Sequence, residues 1–448
     1  MNISRDIKKE LSNWYKSESR LPLIIKGARQ VGKTFAVNQF LADLDVQSFT
    51  VNFDKDPQLK KAFLDSSRPE IVIENLEFIT REDLSKCKVF FFDEIQECPE
   101  ALRALKYFAE DSPEIAVICA GSLLGVALNE SSYPVGKVTY LWLGPLTFSE
   151  FLNALGDSKG FAALSQLKKT LVITSSAHDH LMSQLKKFYV TGGLPRVVTE
   201  FANNQSDLKK AFSISREIQN GLLRDYYADF SKHSAGSNAL HVRTIFENIP
   251  VQLAKTEDAS TAKFKFSDVI KGKKGYAQLK TPIEWLDKAG LAYKINIANR
   301  SEVPLLAFSQ ENFFKIYLFD IGILGALLRL EPESIYLQNY GVSKGYFAEN
   351  LVLQALIKND LDKPFCWEEG QSEIEFLIQY QGDIIPIEVK SGHRTKAKSL
   401  STYISRYKPK AAVKFYAGMP KYSKETKLHN LPLYLAWDLS GKTSIELF

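Results

Sequence analysis

The sequence predicts an α/β protein. A doubly wound parallel sheet of the P-loop NTPase type comes first, a helical and winged-helix region follows, and a smaller α/β domain comes last. Three observations carry this expectation. Apolar runs alternate with helix-compatible segments over residues 21–146. The stretch Gly27-Ala-Arg-Gln-Val-Gly-Lys33-Thr34 fits the phosphate-loop pattern G-x-x-x-x-G-K-[ST]. Beyond about residue 335 a new set of strand patterns begins.

The elements follow in order. Residues 1–20 read as a short helix. "LPLIIKG", "DVQSFTVNF", "KVFFFDEIQ", "EIAVICAGS" and "KVTYLWLGPL" read as five strands. They are apolar throughout instead of alternating, as strands covered on both faces are. Right-handed crossovers then give the doubly wound domain, expected over 1–150. Residues 151–235 look helical, interrupted by "VTGGLPRVV". In 236–334, "RTIFENIPVQLAK", "FKFSDVIKG" and "YAQLKTPIEWLDKAGLAYKI" read as three helices running into a strand pair, the order of a winged helix. In 335–448, "GYFAENLVLQALI" is helical, and "SEIEFLIQY" and "IIPIEVKSG" are strands joined at Gln381-Gly382-Asp383.

Composition bounds the class. The chain has 448 residues, 45% hydrophobic and 24% charged, with a formal charge of +5. These are values of a globular protein with an ample core. The mild basicity permits nucleic acid or acidic partners without demanding them. Cys87, Cys98, Cys119 and Cys366 form no C-x-x-C pair, which argues against a zinc ribbon or a disulfide framework. No signal-peptide pattern and no run of about 18 apolar residues is present, so a cytoplasmic location without a membrane span is expected. His178 and His180 lack further ligand spacing and read as exposed histidines.

The loop needs a strand before it and a helix after it, and it has both. Gly27 and Gly32 let the main chain wrap phosphates. The following helix offers its positive end. Ala28, Arg29, Gln30 and Val31 complete the cradle. Lys33 reaches the β and γ phosphates, and Thr34 holds Mg²⁺ through its hydroxyl. "KVFFFDE" supplies the second half of the site. Asp93 ends a buried strand, where open α/β sheets bind ligands, and is expected to hold the metal. Glu94, one residue on, is expected to polarise the attacking water. Ser122, after the fourth strand, is placed to contact the γ-phosphate or the water. Arg103 and Arg224 are candidate arginine fingers, with a surface or salt-bridged role as the alternative.

Together "KGARQVGKT", "FFDEIQECPEALRALKYFAED", "CAGSLLG", "YPVGKVTYLWLGPLTFSEFL" and "VTGGLPRVV" resemble the AAA+-type predicted ATPases of bacteria and archaea. The resemblance implies ATP and Mg²⁺ as ligands, Asp93 and Glu94 as the Walker B pair, and Ser122 as the sensor position. Arg29 and Gln30 fit that family's form of the loop. "GGLPR" is similar to a Gly-x-Pro element that lies near the phosphates in related signalling ATPases. Gly193 and Pro195 are carried over on that basis alone.

The last unit raises a second chemistry. Glu388 and Lys390, two apart in a strand, share a face. Glu375 in the paired strand joins them, and Glu349 in the preceding helix adds a third carboxylate. Such a set holds Mg²⁺ and positions water. It resembles the acid…E-x-K arrangement of PD-(D/E)XK nucleases and implies a restriction-endonuclease-like fold. Glu375 stands where that family usually has Asp, so active cleavage and a non-cutting scaffold both stay open. Lys271, Lys273 and Lys274 near the winged-helix turn are candidate DNA contacts. Trp367 and the run Ile316–Gly322 read as core, and Asp320 as a buried, hydrogen-bonded acid.

Two functions follow. One is an ATPase coupling nucleotide state to DNA handling. The other is a regulatory ATP switch whose C-terminal domains bind a protein partner and cut nothing. Oligomerisation is open in either.

Overall fold

The computed structural model describes residues 3–121, 136–233, 237–257, 263–357, 363–393 and 397–439. The chain divides into an N-terminal unit, Ser4–Gly144 with Lys288–Gly290, and a C-terminal unit, Pro145–Asp287 with Leu291–Phe448 and Met1–Ile3.

In the N-terminal unit the five apolar runs form β1 (Leu23–Lys26), β2 (Ser48–Asn52), β3 (Val89–Asp93), β4 (Ala116–Ala120) and β5 (Thr139–Trp142). The sheet order is β2-β3-β4-β1-β5, and every pair is parallel. β3 and β4 are buried at each residue, which is why they lack polar alternation. The core beside β3 is aromatic. Phe63 meets Phe92 edge-on at 5.4 Å, and Phe92 meets Phe108 at 5.9 Å. Helices Pro69–Thr80 and Pro99–Asp111 both open on a proline, whose fixed φ suits the first turn. The second buries Ala101, Leu102, Ala104, Leu105 and Phe108, one helical face.

The C-terminal unit begins with helices Phe148–Ala154, Ser158–Thr170, Ser175–Thr191, Pro195–Asn204 and Leu208–His233. Thr147 starts the first with a capping box. Its hydroxyl accepts from the Glu150 N–H at 3.1 Å, and the Glu150 carboxylate accepts from the Thr147 N–H at 2.8 Å. Helices Ser237–Glu257 and Tyr276–Lys288 follow. An eight-stranded mixed sheet is built from β6 (Ala292–Ala298), β7 (Ser309–Leu318), β8 (Phe365–Glu369), β9 (Ser372–Tyr380), β10 (Asp383–Val389), β11 (Ala412–Tyr416), β12 (Lys421–Ser423) and β13 (Leu428–Pro432). Its order is β12-β13-β11-β10-β9-β8-β6-β7. Gln381 and Gly382, both at positive φ, make the tight β9–β10 turn.

Two features differ from the winged-helix expectation. "FKFSDVIKG" is not a helix beyond a 3-10 turn at Phe266–Asp268. Phe264 donates its N–H to the Phe314 carbonyl of β7 at 2.8 Å and stacks on the Phe314 ring at 5.4 Å, so the start of the segment is held extended against β7. The β6–β7 pair is also not a free wing. Ile297 and Ala298 pair in parallel with Cys366 and Trp367 of β8, so one sheet runs through both 236–334 and 335–448. Trp367 is core, edge-on to Tyr403 at 5.1 Å.

Candidate functional sites

The phosphate loop connects β1 to helix Lys33–Ala42. Gly27 has φ 150°, and a Cβ there would lie 2.0 Å from the Leu143 carbonyl oxygen. Gln30 and Gly32 adopt left-handed backbone at φ 67° and 91°. Alternation of this kind turns successive N–H groups inward, a concavity for anions. Arg5 braces the loop from outside: Nη1 donates to the Val31 carbonyl at 2.6 Å and Nη2 to that of Gly144 at 2.8 Å.

Lys33 is buried, and its Nζ donates to the Gly27 and Ala28 carbonyls at 3.0 and 2.9 Å. Burial lowers its pKa to about 8 against the opposing pull of Glu94 and Asp93. Thr34 Oγ1 donates to Asp93, 3.1 Å from Oδ1 and 3.0 Å from Oδ2. Asn52, in register with Asp93 on β2, donates to Oδ2 at 2.8 Å. Burial and the Glu94 charge raise the Asp93 pKa. A hydroxyl and a carboxylate on one spot beside a lysine are groups that would suit a hard divalent cation. Glu94 sits at φ 51°, a left-handed turn uncommon for a side-chain-bearing residue, and accepts from Gln96 Nε2 at 2.6 Å. The turn sets Glu94 apart from the strand direction of Asp93.

The second cluster lies where β9 and β10 pair. Lys390 Nζ is 2.7 Å from Glu388 Oε1 and 3.2 Å from Glu375 Oε1. Glu375 Oε2 accepts from the Val389 N–H at 3.2 Å, while buried Glu388 Oε2 has no hydrogen-bond partner among the described residues. Burial and the Glu388 charge raise the Glu375 pKa. Burial works against the Lys390 charge, but Glu375 and Glu388 outweigh it and raise its pKa. Glu349 accepts from the Tyr317 hydroxyl at 3.1 Å and is close enough to Lys315 and Glu375 to feel their charges. Among the described residues, no group of three or more His, Cys, Asp or Glu side chains is arranged to hold a metal ion.

Residues 19–152 match the family model of an AAA domain, the span that contains the loop and Asp93-Glu94. That span is an AAA domain. Residues 182–334 match a domain of unknown function, DUF8612, and residues 344–436 another, DUF4143. No curated protein matches the chain. Among solved structures, Drosophila ORC bound to DNA is similar at 13% identity and TM-score 0.30, covering 67% of this chain and 88% of that one. The Thermotoga maritima RuvB Holliday junction branch migration motor is similar at 15% identity and TM-score 0.29, covering 68% and 91%. C. elegans PCH-2 is similar at 13% identity and TM-score 0.24, covering 48% and 62%. Likeness at these scores assigns no function.

The AAA domain brings Lys33, Thr34, Asp93 and Glu94 together; Ser122 lies outside the described residues. Arg103 is an exposed residue of the AAA domain, paired with Glu100 at 3.0 Å. Gly193 and Pro195 belong to the C-terminal unit. There the Gly193 N–H donates to Asp320 Oδ2 at 2.7 Å, and Pro195 opens a helix. Arg224 is exposed on helix Leu208–His233. Lys271 and Lys274 are exposed and Lys273 is half-buried. His178 corrects its expectation. It is buried, with Nδ1 2.9 Å from the Tyr434 hydroxyl and Nε2 3.2 Å from the Ala417 carbonyl. His180 is exposed and pairs with Asp157 at 2.6 Å.

Four partners escape sequence reasoning. Asn52 carries a usable signal, a polar residue ending a strand as Asp93 does. Gln96 stands two residues from Glu94. Arg5 bonds the carbonyls of Val31 and Gly144, and buried Lys315 on β7 feels the Glu349 charge from helix Lys344–Ile357, so neither leaves a local signal.

Proposed function

We propose that the protein binds ATP with Mg²⁺ at the loop of its AAA domain, hydrolyses it, and couples nucleotide state to DNA handling through its C-terminal unit. The observation that carries the reading is the meeting of Thr34 and Asp93 at 3.0 and 3.1 Å beside Lys33. The inward N–H groups of residues 27–32 and the start of helix Lys33–Ala42 bind the phosphates. Lys33 exchanges its loop carbonyls for phosphate oxygens, and its charge offsets theirs as the bond to the γ-phosphorus breaks. Thr34 and Asp93 would hold the cation, which when bound neutralises phosphate charge. Glu94 orients the attacking water and takes its proton, with Gln96 fixing the carboxylate. Lys33→Ala is expected to lower ATP turnover by about 100-fold or more, the scale of losing a preorganised charge-stabilising donor. Turnover at the wild-type rate in that variant would defeat the site assignment.

For the C-terminal unit the first reading is a metal-dependent nuclease-like centre at Glu349, Glu375, Glu388 and Lys390. One observation favours a second, a regulatory ATP switch that binds a protein partner and cuts nothing: Lys390 bridges both Glu375 and Glu388, neutralising the carboxylates a metal would need. Plasmid nicking with Mg²⁺ or Mn²⁺ separates the two. The nuclease reading predicts nicking that Lys390→Ala removes. No cleavage with either metal, and no salt-dependent DNA binding, leaves the switch.

A further inference from the structure

Helix Leu208–His233 turns Lys209, Ser213, Arg216, Asn220, Arg224 and Tyr227 toward one side, at the spacing that shares a helical face. That face opens on two adjoining cavities of about 440 and 680 Å³, which share Asn220 and Arg224. Both lie wholly within the C-terminal unit. Three arginines line the larger one: Arg224, Arg243 from helix Ser237–Glu257, and Arg329 from the turn after helix Ile321–Leu327. Glu247 is the single carboxylate among its lining residues. It is engaged by Arg243 at 3.0 Å, and the Arg243 guanidinium lies 4.3 Å over the Tyr227 ring. Arg224 and Arg329 are exposed and make no ion pair among the described residues. Leu223, Ala326 and Leu327 add an apolar wall.

The smaller cavity holds a second cationic element. Arg216 Nη2 donates to the Leu330 carbonyl at 3.0 Å, while Nε and Nη1 are buried with no acceptor among the described residues. A Cβ at Gly325 would lie 3.3 Å from Arg216 Nη2, so this glycine makes the room the guanidinium occupies. Burial lowers Arg216 to about 10, with Glu331 opposing. Unmade donors of this kind favour an anionic acceptor.

We propose that the larger cavity binds a phosphate monoester of about mononucleotide size, its phosphate on Arg224, Arg243 and Arg329 and its body along Tyr227 and the apolar wall. Guanidinium forks match phosphate oxygens in pairs, and several lining one cavity suit a dianion. A cavity of 680 Å³ lies inside the size range of small-ligand pockets, about 300–1,000 Å³. A nucleic-acid strand fits less well, because Glu217, Glu331 and Glu333 line the smaller cavity and repel a continuing phosphate chain.

The test uses the full-length Lys33→Ala chain, in which the loop site is silenced, so the result is independent of the ATP reading. Calorimetric titration with AMP is expected to give saturable binding of one molecule per chain. Adding Arg224→Ala and Arg329→Ala, both exposed positions, should weaken it at least tenfold. Inorganic phosphate should compete with AMP, and more weakly than AMP itself binds. Absence of AMP binding, or equal affinity after both arginine substitutions, overturns the proposal. So does displacement of AMP by a single-stranded DNA oligonucleotide at lower concentration than by phosphate, because the surface would then be a nucleic-acid site.

Discussion

Asp320 is fully buried, caps helix Ile321–Leu327 by accepting from the Ile323 N–H at 3.1 Å, and accepts from the Gly193 N–H at 2.7 Å. It thereby ties the Gly192-Gly193 turn to a second helix start. Gly192 has to be glycine here, because a Cβ would meet Asp320 Oδ1 at 2.2 Å and φ is 65°. Burial raises the Asp320 pKa from 3.8 to about 6. A raised acid holds its proton more tightly folded than unfolded. Its contribution is therefore full below about pH 4 and is lost as pH rises to about 6, a change of about 3 kcal/mol. Asp320→Asn removes that titration. Its unfolding free energy relative to wild type should rise by about 2–3 kcal/mol between pH 4 and pH 6.5 in urea denaturation. A pH-independent difference would contradict the assignment. The acid is legible as buried from the apolar run around it. Its partner Gly193 is not, since that contact spans 127 positions.

The loop, its strand and its helix act as one element. Gly27 touches the Leu143 carbonyl that follows β5, and Arg5 clamps Val31 and Gly144. Gly27→Ala would force the loop off that carbonyl and turn its N–H groups out of register. ATP affinity in equilibrium dialysis is expected to fall at least tenfold, and unchanged affinity would show that the loop tolerates the displacement. The five strands of this unit are readable because burial on both faces leaves continuous apolar runs. Asp93 is readable because the strand ends there. The segment at Phe264–Asp268 mimics a helix because its two phenylalanines serve β7: Phe264 stacks on Phe314 and Phe266 meets it edge-on. His178 gives no sign of its burial because Tyr434 and Ala417, its partners, lie far along the chain.

Across the whole chain, sequence-local pairings such as β9–β10 are legible, and the parallel joining of β6 to β8 is not. That joining makes one sheet of segments the sequence presents as two domains, and Lys315 of β7 reaches the carboxylates near β9 through it. Among the described residues no helix is long and apolar enough to cross a membrane. The proposed function stands or falls on Lys33, Thr34, Asp93 and Glu94 forming a hydrolytic ATP site whose turnover answers to DNA. The decisive experiment is ATP turnover of the full chain and of Glu94→Gln, with and without DNA, alongside ATP binding. Wild-type turnover should change when DNA is added, and the variant should bind ATP but turn it over about 100-fold more slowly. Equal turnover by both proteins, or loss of ATP binding in Glu94→Gln, would contradict the role of Glu94, and turnover indifferent to DNA would contradict the coupling.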